Sequence, residues 1–181
     1  MVTLLIGDIG SGKTTLCLRL ARAAQAQGLR VAGILTLPGP SGKEELWALD
    51  LESGERRPLA GRALRPGTER RGRYHFDEAT FDWAMQAVRR GLAQRAALLI
   101  VDEIGPLELE QSLGFAPLLA ELAQAPGLVV LSVRRSCCEA LAERLAQPVS
   151  TVFVNDRHAH ARVMAALAAH AAPFAFSNFQ G

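Results

Sequence analysis

Two short segments carry the residue types and spacing that phosphate chemistry requires. The first is the run Gly7-Asp8-Ile9-Gly10-Ser11-Gly12-Lys13-Thr14, which matches G-x-x-x-x-G-K-[ST] at every fixed position. In such a loop the glycines turn backbone N–H groups inward around phosphate oxygens, the lysine reaches the β- and γ-phosphates, and the threonine hydroxyl ligates Mg²⁺. We therefore predict that these residues and Thr15 bind a nucleoside triphosphate, with Lys13 also acting on the reacting phosphate. A glycine-rich turn without a ligand is disfavoured, because an apolar run precedes the loop and a helical pattern follows it.

The second segment is an apolar run that ends in two acidic residues. Leu98-Leu99-Ile100-Val101 has the pattern of a buried strand, and Asp102 stands at its C-terminal end. Because parallel sheets bind ligands at that end, we expect Asp102 to hold Mg²⁺ together with Thr14. Glu103 follows directly and is predicted to orient and deprotonate the water that attacks the γ-phosphate. This position favours a hydrolase over a kinase, since a kinase must exclude water.

The acidic segment also permits structural roles. The Glu103 carboxylate fits a role in which it only accepts hydrogen bonds and positions a loop. Glu108, five residues further on, fits a second acid at the site and a loop-bracing carboxylate equally well.

A third candidate group is a cluster of arginines in the middle of the chain. Seven of them, offset only by Glu69, lie between residues 56 and 73: Arg56, Arg57, Arg62, Arg65, Arg70, Arg71 and Arg73. A solvated charged loop is the plainest interpretation. One of these arginines could instead act as a finger that neutralises the transition state, or contact nucleic-acid phosphates. Arg73 is the first choice for a finger because it borders a predicted helix, and Arg134, which follows a predicted strand, is its competitor.

Apolar runs alternate with amphipathic segments along the chain, which predicts a parallel sheet with helical crossovers. The predicted strands are 2–6, 31–37, 96–101, 128–133 and 150–154, with a hairpin over 44–50 and 56–60, and residues 62–72 are predicted to form a loop. The predicted helices are 14–27, 78–94, 115–123 and 158–170, with one more that follows Ser136 and runs through 145. Asp77 and Ser136 are the predicted N-caps of the helices that follow them. We expect an α/β, three-layer P-loop NTPase fold in which a mainly parallel sheet is flanked by helices and carries a small β-hairpin insertion.

Length and composition narrow the class of protein. The chain of 181 residues fits one domain, expected over residues 1–172, with a flexible tail over 173–181. Apolar runs fall short of the ~18 residues that span a membrane, and no signal peptide is recognisable, so a cytoplasmic location is expected. The protein is also expected to be a monomer. A net charge of +2 argues against a general nucleic-acid-binding face. The three cysteines do not indicate a disulfide framework.

The sequence contains no obvious base-reading signature. Asn155 and Arg157, after the last predicted strand, are the expected nucleotide-binding residues outside the phosphate loop. Two other functions stay open: a small-molecule or nucleotide kinase with residues 62–73 as its lid, and a GTP-binding adaptor for cofactor assembly. The guanine-reading Asn-Lys-x-Asp pattern of regulatory GTPases is absent, which disfavours a GTP-specific switch.

Three segments together resemble the small nucleoside-triphosphatase family first described from thermophiles, whose animal member is called cancer-related nucleoside-triphosphatase. They are the loop 7–14, the run Val101-Asp102-Glu103-Ile104-Gly105-Pro106-Leu107-Glu108-Leu109, and Gly72-Arg73-Tyr74 before a helix. The Asp-Glu-Ile-Gly-Pro stretch is the specific part, because many families share a phosphate loop.

The resemblance implies a compact P-loop domain that hydrolyses ATP, GTP and other triphosphates with Mg²⁺ and broad base tolerance. It assigns phosphate and metal binding to Lys13 and Thr14, magnesium binding to Asp102, and water activation to Glu103. The chain departs from the family pattern at Leu107, where Met is usual, and at Arg73, where Lys is usual. It also departs over residues 37–51 and at 155–157, where Asn-Asp-Arg replaces Asn-Arg-Asp.

Overall fold

The alternation of apolar and amphipathic segments produces one mixed sheet with helices on both faces. The computed structural model describes residues 1–63, 67–71 and 73–171, with the side chains of all except Lys43 and Arg71. The expected tail, with Arg65 and Gly72, lies outside the described residues. Within them the strands are β1 (Val2–Ile6), β2 (Val31–Gly39), β3 (Gly42–Asp50), β4 (Arg56–Gly61), β5 (Thr68–Arg71), β6 (Tyr74–Asp77), β7 (Leu98–Ile104), β8 (Leu128–Val133) and β9 (Val149–Phe153). The helices are α1 (Lys13–Ala26), α2 (Glu78–Ala93), α3 (Pro106–Leu109), α4 (Leu119–Ala123), α5 (Cys138–Leu145) and α6 (Ala159–Ala171).

The strand order separates the two chemical motifs by one strand. Across the described residues the sheet runs β5-β6-β4-β3-β2-β7-β8-β1-β9. The strands from β2 to β9 in that order are parallel, and β3, β4, β6 and β5 extend the sheet with antiparallel pairing. The C-terminal ends of β1, β8 and β7 therefore meet at one end of the sheet, with β8 in the middle. This line of strand ends is called the C-terminal edge and is distinct from the outermost strands of the sheet. The predicted α/β class is confirmed, and the antiparallel part is larger than the single hairpin expected.

Two apolar layers hold the helices against the sheet. One face packs against α2, α4 and α5 through side chains such as Phe81, Leu122 and Leu141. The other packs against α1 and α6 through Leu20 and Val163. All six residues of β8 are buried, which explains its nearly continuous apolar sequence. None of the described helices is both long and apolar enough to cross a bilayer.

Local signals explain where α1 ends and where α2 begins. The turn after α1 has Gly28 at φ +73°, with its N–H bonded to Gln25 O at 2.9 Å and Leu29 N–H bonded to Ala24 O at 3.1 Å. This is a Schellman motif, which glycine favours at that position. At the start of α2, Asp77 Oδ1 accepts from Thr80 N at 2.8 Å, so the predicted cap is confirmed.

Two local predictions were wrong. Residues 62–72 were expected to be a loop, yet β5 pairs with β6 there at the sheet edge. Charged side chains are tolerated on an edge strand, so the apolar alternation that reveals an inner strand is missing. Ser136 does not cap α5, because a 3₁₀ turn over Arg135–Cys137 precedes that helix. Cys137 N donates to Arg134 O at 3.0 Å within this turn, and Cys137 becomes the N-cap of α5 without a side-chain hydrogen bond.

Candidate active site

The phosphate loop has the backbone that its glycines permit. It connects β1 to α1, and Gly10 and Gly12 lie at φ +76° and +96°, which residues with a Cβ rarely adopt. A Cβ on Gly7 would collide with Ser11 Oγ and Val154 Cγ1, so the loop start is closely packed. Asp8, Ile9, Gly10, Ser11 and Thr15 are exposed along the loop and the start of the helix. The loop is therefore open to solvent on its outer side and fixed at its base.

Lys13 is held inside this loop. Only 3% of its surface is exposed, and Nζ donates to Gly7 O and Asp8 O, each at 3.0 Å. An ammonium group has three N–H donors, so one is left for a phosphate oxygen. The lysine of the motif is therefore held in one orientation within the loop by these two hydrogen bonds.

Asp102 lies beside Thr14, as the two motifs require. Its carboxylate is fully buried, and Oδ2 accepts from Thr14 Oγ1 at 2.7 Å and from Thr36 N at 3.4 Å. Oδ1 accepts from the Ser132 hydroxyl. Burial raises the pKa of Asp102 to about 6, although the hydrogen bonds from Ser132 and Thr14 act in the opposite direction. Two hard oxygen ligands, the Thr14 hydroxyl and the Asp102 carboxylate, therefore lie next to each other at the end of the loop.

Glu103 occupies a β-bulge. In the register of β7 against β8, Val101 pairs with Leu131 and Ile104 with Val133, so two residues of β7 lie opposite Ser132 alone. Glu103 has φ +68°, a left-handed conformation that is uncommon for a residue with a side chain. Its N–H donates to Ser132 Oγ at 2.9 Å. The bulge leaves Asp102 buried and Glu103 exposed, so adjacent carboxylates lie in different environments.

Sequence reasoning did not identify Ser132. Its hydroxyl donates to the Asp102 carboxylate and accepts from Glu103 N, so one side chain ties both acidic residues to β8. The available signal was a single hydroxyl residue within an otherwise apolar buried strand. Such a residue needs partners, since a buried hydroxyl without a hydrogen bond is costly.

Glu108 braces the loop that follows the bulge. It is 3% exposed, and its two carboxylate oxygens accept from Gly105 N at 2.9 Å and from Phe115 N at 3.4 Å. Burial raises its pKa to about 7, against the lowering effect of these backbone hydrogen bonds. Of the two roles considered from the sequence, its contacts are those of the brace.

Asn155 and Arg157 lie in a segment that the structure brings close to the phosphate loop. The segment with Asn155 and Arg157 follows β9, and Val154 N donates to Ile6 O at 2.9 Å, which sets the segment beside the phosphate loop. Asn155 and Arg157 are exposed, and Arg157 Nε donates to His158 Nε2 at 2.9 Å.

Arg73 is separated from the loop by most of the sheet. It lies in the turn between β5 and β6, with its guanidinium 5.3 Å from the centre of the Tyr74 ring. The strand order puts β6 six steps from β1, roughly 29 Å at about 4.8 Å per step. The structure therefore does not bring Arg73 next to Lys13, and its finger role stays a prediction.

Comparison with known proteins gives matches over most of the chain. A family model described as NTPase matches residues 2–163. The nucleoside-triphosphatase THEP1 of Methanothermobacter thermautotrophicus is 32% identical over 167 residues, covering 90% of this chain and 91% of that protein. The nucleoside-triphosphatase THEP1 of Pyrococcus abyssi is 36% identical over 129 residues, covering 70% of this chain and 66% of that protein. The crystal structure of THEP1 from the hyperthermophile Aquifex aeolicus has a TM-score of 0.69 over 94% of this chain and 99% of that chain, and its 19% identity makes this a likeness of fold.

Proposed function

Because this chain belongs to the NTPase family, we propose that it hydrolyses nucleoside triphosphates to the diphosphate and phosphate with the help of Mg²⁺. The observation that carries the proposal is the bulge at the end of β7. There Asp102 is buried and bonded to Thr14 of the phosphate-loop helix, while Glu103, the next residue, is exposed at the same edge. One carboxylate is thus available for a metal and the other for a water molecule.

The phosphate loop supplies the binding of the triphosphate. Its backbone N–H groups and the N-terminus of α1 favour anions, and Lys13 adds a full positive charge that is already oriented by two carbonyls. Gly7 to Thr14 and Thr15 contribute these contacts in our proposal. Little reorganisation is needed when the phosphates bind, because the lysine is fixed in advance.

Thr14 and Asp102 fit a magnesium ion. Mg²⁺ prefers hard oxygen ligands and usually keeps several waters, binding through one or two protein groups and the substrate phosphates. The hydroxyl and carboxylate, 2.7 Å apart, offer such a pair. When bound, Mg²⁺ would neutralise charge on the β- and γ-phosphate oxygens.

Glu103 acts on the attacking water. The water oxygen forms a bond to the γ-phosphorus, its proton passes to the Glu103 carboxylate, and the bond from the γ-phosphorus to the bridging oxygen breaks. The nucleoside diphosphate leaves with that oxygen, and the proton returns to solvent. The exposed position of Glu103 lets water reach it, which is the property that a kinase must avoid.

We propose that the enzyme has broad base tolerance. The roles proposed for the phosphate loop, Asp102 and Glu103 involve phosphate, metal and water. Among the described residues, the exposed segment with Asn155 and Arg157 is our candidate for a base contact. Exposed polar side chains discriminate weakly between bases, since they leave no buried group unpaired when the base changes.

The test is phosphate release by the purified protein with ATP, GTP, CTP and UTP, each with and without Mg²⁺. Small-molecule and nucleoside acceptors are added in a parallel series that measures their phosphorylation. We expect acceptor-independent phosphate release that Lys13→Ala abolishes. Phosphate release that appears only with an acceptor would identify a kinase and overturn the proposal, and nucleotide binding without turnover would point to an adaptor.

A further inference from the structure

Arg134 is the first residue after the strand that separates the two motifs. β8 pairs in parallel with β1, which leads to the phosphate loop, and with β7, which leads to Asp102 and Glu103. Val133, its last residue, pairs with Ile6 on one side and Ile104 on the other, and its carbonyl accepts from Gly7 N at 3.3 Å. Since neighbouring strands lie about 4.8 Å apart, Arg134 leaves the sheet between the phosphate loop and the bulge.

The side chain of Arg134 lacks the partners that other arginines have. Its Nε is buried from solvent and has no hydrogen-bond partner. Within the described part of the chain, its guanidinium forms no ion pair or hydrogen bond with another side chain. By contrast, Arg89 binds Glu121, Arg90 binds Asp50 and Arg162 binds Asp156. Burying a guanidinium N–H without a partner is costly, so a free anion is the partner that this position suits.

The backbone holds Arg134 in one place. Its φ of −71° and ψ of 147° are extended, and its carbonyl accepts from Cys137 N at 3.0 Å at the start of the 3₁₀ turn. With the backbone fixed, binding of an anion has to order only the side chain that carries the guanidinium. Its planar fork also matches phosphate oxygens.

We propose that Arg134 is a catalytic residue that contacts the γ-phosphoryl group and neutralises the charge that grows on it during hydrolysis. The inference rests on the proposed function. A triphosphate brings several negative charges into a space that already holds the carboxylates of Asp102 and Glu103. Lys13 is bonded to the loop at one side of that space, and Arg134 supplies the second protein cation between the loop and the bulge. Arg73, next to β6 and therefore five strand steps from β8, has no comparable position.

The test compares Arg134→Met and Arg134→Lys with the wild type, with Arg144→Ala as a control that removes an exposed arginine of α5, which donates to Ser112 Oγ. Arg134→Met keeps the aliphatic stem and loses the charge. We expect its kcat to fall by on the order of 10²–10³-fold, as for removal of a single donor to transition-state charge. Affinity for the Mg-bound diphosphate should change less than about threefold. Arg134→Lys should restore part of the lost kcat, and Arg144→Ala should match the wild type.

A transition-state mimic provides a readout that a merely structural arginine would not change. Aluminium fluoride with the diphosphate and Mg²⁺ should tighten diphosphate binding to the wild type, and Arg134→Met should lose that gain. Its Tm should be unchanged or higher, because Met removes an unpaired buried N–H.

Three results for Arg134→Met would each overturn the inference. They are retention of more than about a third of wild-type kcat, a lowered Tm that accounts for the lost activity, and an effect in KM alone. A silent Arg134→Met beside an inactive Arg73→Ala would assign the role to Arg73. These results leave the proposed function standing, whereas no phosphate release by the wild type would refute both.

Discussion

Glu103 combines a strained backbone with an exposed carboxylate. A residue with a Cβ at φ +68° costs about 1–2 kcal/mol relative to a right-handed conformation. The neighbouring residues stabilise it through the Ser132 hydroxyl, which binds its N–H. Strain of this kind is found where a side chain must be held in a direction that a regular strand would not allow. Here the strained bulge leaves the Glu103 side chain exposed while that of Asp102 is buried.

Replacing Glu103 by Gln tests its role as a base. The variant keeps the shape of the side chain but loses basicity, so turnover should fall by about 10²–10⁴-fold, the usual contribution of a general base. Nucleotide affinity should change little, because Lys13, Thr14 and Asp102 remain. Steady-state phosphate release and equilibrium nucleotide binding are measured on the same preparation.

The matched control is Glu110→Gln, which neutralises an exposed carboxylate just after α3. It should behave as the wild type. The assignment of Glu103 is wrong if its Gln variant keeps more than about a tenth of wild-type turnover, or if it loses activity only in proportion to unfolded protein.

A second pair of variants tests the strain itself. Glu103→Ala and Glu103→Gly both remove the carboxylate, but only glycine relieves the positive φ. The Gly variant should be more stable than the Ala variant by about 1 kcal/mol, a Tm difference of roughly 2–4 °C for a domain of this size. Both should be inactive. Equal melting temperatures in thermal denaturation would show that the bulge stores no strain at this residue.

At the scale of the element, the loop after β7 depends on one buried carboxylate. Glu108 binds backbone N–H groups at both ends of the segment 105–115, so α3 and the residues after it are tied together. Gly114, at φ +58°, has no room for a Cβ next to Glu108 Oε1. The brace keeps the segment after Glu103 in one conformation. The Glu108 carboxyl is buried where it accepts these hydrogen bonds, and burial raises its pKa.

This arrangement predicts a pH dependence of stability. The pKa of Glu108 is about 7 in the folded protein, above its ordinary value of 4.5. Between these two values the folded state holds the proton and the unfolded chain releases it. The folded state thus binds more protons, and its stability falls as pH rises through this range.

Glu108→Gln removes that contribution. The difference in Tm between the variant and the wild type should shift in favour of the variant from pH 5 to pH 8, whatever constant offset the amide introduces. Thermal denaturation at several pH values measures it, with Glu110→Gln as an exposed control. Parallel pH profiles for Glu108→Gln and wild type would show that this carboxyl titrates normally.

At the scale of the whole molecule, the sheet has two halves that differ in strand pairing. The parallel half, β2-β7-β8-β1-β9, carries the phosphate loop and the bulge at one edge. The antiparallel half carries the arginine-rich hairpin of β5 and β6. Asn155 and Arg157, the residues that we propose for a base contact, are exposed side chains in the segment after β9.

Base selectivity should accordingly be weak. Across ribo- and deoxynucleoside triphosphates, kcat/KM should vary by less than about a hundredfold, about 2.7 kcal/mol in transition-state stabilisation. Alanine substitution of Asn155 or Arg157 should change the order of preference more than the total rate. A preference beyond a hundredfold for one base would reveal a specific pocket.

The proposed metal requirement depends on the tertiary structure, since Thr14 and Asp102 come from different elements. Excess chelator should abolish phosphate release, and added Mg²⁺ should restore it better than Ca²⁺, because two protein oxygens suit an ion that keeps its waters. Asp102→Asn should raise the Mg²⁺ concentration needed for half-maximal activity. Full turnover in chelator would contradict the proposed site.

The sequence by itself determined the fold class, the helix and strand alternation and the two motifs, because each depends on residues close together in the chain. Gly7 to Thr14 and the run ending at Asp102 and Glu103 are recognisable from spacing alone, and so is Asp77 as a helix cap. The strand order is a long-range property that local patterns do not contain. Only the tertiary structure decided that β8 lies between β1 and β7, which gives Ser132 its two acidic partners and brings Arg134 to the gap between the motifs. It also decided that residues 62–72 include an edge strand and that Arg73 lies far along the sheet, since a charged segment pairs at an edge through backbone hydrogen bonds that side-chain patterns do not reveal.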